Sequence, residues 1–148
     1  MEKFDLSHFL PYQLAVIAQR VSGELSRIYG ERFGLNVPEW RVLAHLAASE
    51  AISVREIHLR VNMDKSKVSR AASRLQDRGL VRKKVNPADR RLLELSLTAD
   101  GEALMAQIIP EALRFERDLE ARLGSENAAN LRKAITDYLG ENDAGHAL

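Results

Sequence analysis

The sequence predicts a mainly α-helical fold with one β-hairpin. Two observations carry this. Apolar residues recur at spacings of three and four along most of the chain, the helical period. Only residues 80–97 depart from it, becoming strand-like around a turn. The 148 residues suffice for a single domain with its own core. The 45% apolar and 29% charged content is that of a soluble globular chain.

The first helix is expected from about Leu10 to Phe33. Leu14, Ile17, Val21, Leu25 and Ile28 give it one apolar face, Pro11 suits its first turn and Gly34 stops it. Pro38 opens a second helix with Trp40, Leu43, Ala44 and Ala47 as its apolar stripe. Ser53-Val54-Arg55-Glu56 reads as a capping box, with Ile52 and Ile57 as a hydrophobic staple, and fixes a short third helix to about Arg60. Val61-Asn62-Met63 is a tight connection. Asp64 can cap a fourth helix ending near Gly79.

Leu80 to Val85 then reads as a basic strand, and Asn86-Pro87-Ala88-Asp89 is turn chemistry. Leu93, Leu95 and Leu97 alternate with Glu94 and Ser96, giving a second strand with one buried face. Thr98 caps a long helix to about Leu123, with Pro110 as an expected kink. Gly124 ends it. Ser125 caps a last helix bearing Leu131, Ile135, Tyr138 and Leu139 on one face, and the tail from Gly140 is expected to fray.

Composition excludes several functions. Without cysteine there are no disulfides, no thiolate zinc sites and no thiol redox switch. No apolar run reaches the length of a membrane span. Met1–Asp5 lacks a basic region followed by an apolar one, so no signal peptide is expected and the expected compartment is the cytoplasm. Charge is segregated: residues 55–91 hold twelve Lys/Arg against four Asp/Glu, a net of +8, leaving −7 elsewhere. That pattern fits a polyanion-binding surface or a solvated basic face.

The faces of the fourth helix separate these readings. Val68, Ala71, Ala72 and Leu75 fall on one side; Ser66, Ser69, Arg70, Ser73 and Arg74 fall on the other, with Lys67 at the edge. Serines permit close approach to DNA, and arginines have the reach and fork geometry for guanine edges or phosphates. The hairpin adds Arg82, Lys83, Lys84, Arg90 and Arg91, and its tip suits a minor groove. Asp89 can pair with Arg91 and aim it. Helix, tight turn, helix and hairpin in this order make a winged helix-turn-helix.

Asp64-Lys65-Ser66-Lys67-Val68-Ser69-Arg70, Leu75-Gln76-Asp77-Arg78-Gly79-Leu80-Val81, Asp89-Arg90-Arg91 and Leu95-Ser96-Leu97-Thr98-Ala99-Asp100-Gly101 together resemble the MarR family of bacterial regulators. The resemblance runs from about Leu10 to Leu139. It implies one MarR-like domain over residues 1–148. Its winged helix-turn-helix lobe would span about 36–98, and its dimerisation helices about 5–33 and 99–140. It implies an obligate homodimer on double-stranded DNA, reading a pseudo-palindromic operator, with recognition helices in successive major grooves and wings in flanking minor grooves. Carried onto this chain, the DNA contacts are Ser66, Lys67, Ser69, Arg70 and Arg74, with Arg91 held by Asp89 on the wing; Lys83 is added as a phosphate contact.

The resemblance also implies a repressor released by a small molecule, often an aromatic acid. Candidate ligand-binding residues are His8, Tyr12, Arg20, Trp40 and Arg41, which offer cations for a carboxylate and rings for stacking. The alternatives are an activator without ligand control and a protein-interaction module of the same fold. An enzyme is not expected. There is no glycine-rich phosphate loop, no nucleophile elbow and no metal-ligand spacing, although His45 and His58 can still meet in space. No cofactor or metal is expected.

Overall fold

Pro11 starts helix α1 (Leu10–Glu31), just after a 3-10 turn at Leu6–His8. The computed structural model describes residues 1–49, 51–61, 63–91 and 93–146. The chain forms two units, Met1–Glu111 and Ala112–Leu148.

In the first unit α1 ends at Glu31, and Gly34 just beyond it has φ of 66°, a left-handed turn that glycine adopts without steric cost. Helix α2 (Val37–Ala48) follows. Asn36 caps it in a reciprocal box: its Oδ1 accepts from Glu39 N at 2.9 Å, and Glu39 Oε1 accepts from Asn36 N at 3.2 Å. The α2 stripe differs from expectation. Val42, Leu43 and Leu46 are buried and Ala47 is exposed, because the inward side is set one residue away.

Ile52–Ser53 forms a short strand, β1, in addition to the expected hairpin. Ser53 Oγ accepts from Glu56 N at 3.1 Å and starts helix α3 (Val54–Val61), flanked by buried Ile52 and Ile57. The tight connection expected at residues 61–63 includes Asn62, which lies outside the described residues. Helix α4 (Lys65–Asp77) begins at Asp64, whose side chain makes no capping bond. Strands β2 (Val81–Val85) and β3 (Leu93–Leu97) pair antiparallel, and β1 adds to the other edge of β3, giving the order β1-β3-β2. Of the three leucines expected inward on β3, Leu95 is buried, Leu97 half-buried and Leu93 exposed, since Leu93 pairs with Val85 near the hairpin tip.

The core of this unit joins Tyr29 of α1, the α2 stripe, Ile57, the buried side of α4, Leu95, and Met105 and Ile108 of helix α5 (Ala99–Leu123). Thr98 caps α5 by accepting from Gly101 N at 3.1 Å. It also donates to the Gly79 carbonyl at 2.6 Å, tying the end of α4 to the start of α5. Pro110 lies inside α5, which continues as helix on both sides.

The second unit holds the end of α5 and helix α6 (Ser125–His146). Gly124, with φ of 91°, separates them, and its carbonyl accepts from Ala128 N at 2.8 Å. Ser125, expected as the cap, is the first residue of the helix itself. Arg132 bonds Glu120 at 2.6 Å across the hairpin. Leu131, Ile135, Tyr138 and Leu139 are exposed. Beyond Gly140, where fraying is expected, the chain is helical to His146. Among the described residues, no helix is long and apolar enough to cross a membrane.

Candidate nucleic-acid interface

Helix α4 has two chemically distinct sides. Val68, Ala71, Ala72 and Leu75 are buried, whereas Ser66, Lys67, Ser69, Arg70, Ser73 and Arg74 are exposed. The spacing dictates this division, because residues three and four apart share a helix side. No acid lies in α4 before Asp77, so its exposed side is hydroxyl and cationic.

The far end of α4 is fixed by backbone chemistry. Gly79 has φ of 74°, its N–H bonds the Gln76 carbonyl at 2.9 Å, and Leu80 N bonds the Leu75 carbonyl at 2.9 Å. Arg78 then reaches the end of α1. Its guanidinium donates to the carbonyls of Phe33 at 3.0 Å and Gly34 at 3.2 Å. A cation is favourable there, since a helix C-terminus carries partial negative charge. These bonds join residues more than forty positions apart, beyond the reach of any local pattern.

The wing tip is folded by Asn86, whose Oδ1 accepts from Ala88 N at 2.8 Å and Asp89 N at 3.2 Å. Its amide donates to Glu94 Oε1 at 2.7 Å. Asp89 Oδ1 accepts from the backbone N–H of Arg91 at 3.0 Å and from its Nε at 3.1 Å; Oδ2 accepts from Nη2 at 3.3 Å. The Arg91 side-chain bonds chiefly, then its backbone N–H, hold the Asp89 carboxyl below the usual carboxylate range; Arg55 adds a smaller pull. The Arg91 side chain remains 90% exposed. Asp89 thus aims the arginine without burying it.

Lys83 stands apart from Arg82 and Lys84, which are exposed. It is half-buried, and its Nζ donates to Ser73 Oγ of α4 at 2.9 Å. A concavity between α4 and the wing is lined by Arg55, Lys65, Ser69, Lys83, Asp89 and Arg91 among others. Arg55 and Lys65 thus join the candidate site through the fold, since nothing in their local pattern sets them apart from the rest of the basic segment.

The ligand candidates are placed as follows. His8 is exposed and donates from Nδ1 to Asp5 at 2.7 Å. Tyr12 and Arg20 are exposed along α1. Trp40 is half-buried and stacks on Tyr29, with centroids 5.2 Å apart and planes 10° from parallel. Burial pushes the Tyr29 hydroxyl up, and the nearby charge of Arg41 partly opposes this. His45 lies on α2, where burial chiefly and Arg60 secondarily lower its pKa. His58 on α3 instead donates from Nδ1 to the Met63 carbonyl. Among the described residues, no three His, Asp or Glu side chains gather as metal ligands.

Two short helices, of which the second has an exposed basic side, followed by a β-hairpin that completes a three-stranded sheet with β1, define a winged helix-turn-helix protein. Comparison with known proteins agrees. Residues 33–92 match the profile of the MarR family. A MarR family transcriptional regulator from Silicibacter pomeroyi DSS-3, SPO1453, is 30% identical, with 93% of this chain and 98% of that one covered, at a TM-score of 0.80. The chain belongs to the MarR family. An HTH-type transcriptional regulator of Bacillus cereus is 28% identical over 95 residues, 64% of this chain; the chain spans 63% of that relative's length. Bordetella bronchiseptica BpsR, whose DNA binding is regulated by 6-hydroxynicotinic acid, shares the fold at a TM-score of 0.83 and 22% identity, covering 93% of this chain and 97% of that one. The relatives are transcriptional regulators rather than enzymes.

Proposed function

We propose that this chain is a sequence-specific DNA-binding transcriptional regulator that acts as a homodimer in the cytoplasm. The observation that carries this reading is the exposed side of α4, free of acids before Asp77, beside a wing whose arginine is aimed by a carboxylate. Ser66, Lys67, Ser69, Arg70 and Arg74 meet the major groove, where arginine forks match guanine edges. Arg91, oriented by Asp89, enters the minor groove, whose negative potential favours it. Lys83 belongs to the same surface. Exposed apolar residues at the start of α1 and along α6 supply the dimer contact, and two-fold symmetry places two recognition helices on a pseudo-palindromic site.

The finer reading is repression relieved by a small aromatic acid. His8, Arg20 or Arg41 pairs with the carboxylate, and Tyr12 or Trp40 stacks on the ring. The Trp40–Tyr29 stack supports this by offering a rigid aromatic wall, and the regulation of BpsR by 6-hydroxynicotinic acid supports the ligand class. Such a ligand acts by binding one spacing of the two recognition helices better than another.

The test is fluorescence anisotropy on DNA from the gene's own upstream region against scrambled DNA across a salt series. The expected result is preference for the upstream DNA and affinity that falls with salt. Adding 6-hydroxynicotinic acid and other aromatic acids then reads release. Weak binding without preference for any duplex overturns the sequence-reading role.

A further inference from the structure

Lys83 occupies a position where the sheet otherwise carries apolar residues. β2 and β3 pair Val81 with Leu97, Lys83 with Leu95 and Val85 with Leu93. Alternation puts these six on one side of the sheet and Arg82 and Lys84 on the other. On the first side Val81 and Leu95 are buried. Lys83 therefore leaves the sheet on the side that faces α4, and its ammonium ends at the surface on Ser73 Oγ at 2.9 Å. Ser73 lies on the exposed side of α4, one turn from Ser69 and Arg70. Arg55, Lys65 and Arg91 line the same concavity, and Asp89 is the one acid among its described lining residues. A further cation among like charges is unfavourable unless a specific partner holds it. The Ser73 hydroxyl is that partner, and the bond spans from wing to recognition helix.

We propose that Lys83 is a positioning residue of the DNA-reading surface. Bonded to Ser73, it fixes the angle between wing and α4, and hence the spacing between Arg91 and Arg70. The inference rests on the DNA-reading role proposed above. It separates Lys83 from a phosphate contact, which would direct its ammonium outward and contribute to the salt dependence.

The experiment uses the full chain as wild type, Ser73→Ala, Lys83→Met and the double variant. Methionine keeps much of the stem and removes the charge and donors. Anisotropy is read on a duplex that the wild type selects from a random library and on its scrambled counterpart. Each single change is expected to lower the preference for the selected duplex about tenfold, as for loss of a charge-assisted hydrogen bond. The double variant should lose no more than either single one, and Lys83→Met should leave the salt slope unchanged. A uniform loss on both duplexes with the slope reduced by about one, and a silent Ser73→Ala, overturns the proposal in favour of a phosphate contact. Amide hydrogen exchange in the free protein is the second readout: Ser73→Ala should speed exchange along Val81–Val85. No change there overturns the tether whatever DNA does. Faster exchange in a protein that selects no duplex supports the tether and defeats the DNA-reading role instead.

Discussion

The backbone of Gly101 rests against the carbonyl of Leu80: a Cβ at residue 101 would stand 2.1 Å from that oxygen. The same carbonyl accepts from Thr98 N at 3.1 Å, so it has little room to retreat. Gly101→Ala is expected to push α5 from the end of α4 and destabilise the fold by about 1–3 kcal/mol. Thermal unfolding at fixed protein concentration measures it, and an unchanged midpoint contradicts the close approach.

Arg70 tests base reading. Arg70→Ala is expected to cost about 1–3 kcal/mol on the preferred duplex and to relax sequence preference at one position. Arginine has the fork geometry that such a contact needs and lysine does not, so Arg70→Lys should restore affinity only in part. Equal losses on preferred and scrambled DNA would show that Arg70 touches phosphate alone.

The Asp89–Arg91 pair sets a pH dependence. Because the folded carboxyl titrates below its ordinary value, the wing-tip order it provides is fully present above that ordinary value and is lost as pH falls through the lowered one. Carboxyl NMR should show Asp89 titrating below the ordinary aspartate value. Arg91→Ala should move it back up. A titration that ignores Arg91→Ala rules out the pair as its cause.

The exposed apolar side of α6 bears on assembly. Leu131 and Ile135 are 38% and 47% exposed. Full burial of such a side chain contributes about 1.5–3 kcal/mol, and covering what is still exposed contributes roughly half of that. The double change Leu131→Asp, Ile135→Asp is expected to give monomers by sedimentation while the helical signal persists. A dimer that survives it must be held elsewhere.

Elements set by local chemistry were legible in the sequence. The period of α4, its glycine stop and the Ser53 cap need only neighbours along the chain, and so do the wing's Asn86 and Asp89. What escaped depends on partners distant in sequence. Ile52 and Ser53 read as staple and cap, and nothing local shows that they also pair with Leu95 and Glu94 as a strand. Lys83 looked like its basic neighbours until strand register set it on the other side of the sheet. Ala47 looked apolar and therefore inward, but which arc of α2 faces the core is decided by the elements packed on it.

The grip of Arg78 on Phe33 and Gly34 has a mechanical consequence. It pins one end of a 13-residue helix. At 1.5 Å per residue the opposite end lies about 20 Å away. A tilt of about 5° at the pinned end therefore sweeps the Ser66 end through nearly 2 Å, more than half the length of a hydrogen bond. Whatever displaces the end of α1 is delivered, enlarged by this lever, at the Ser66 end of the helix.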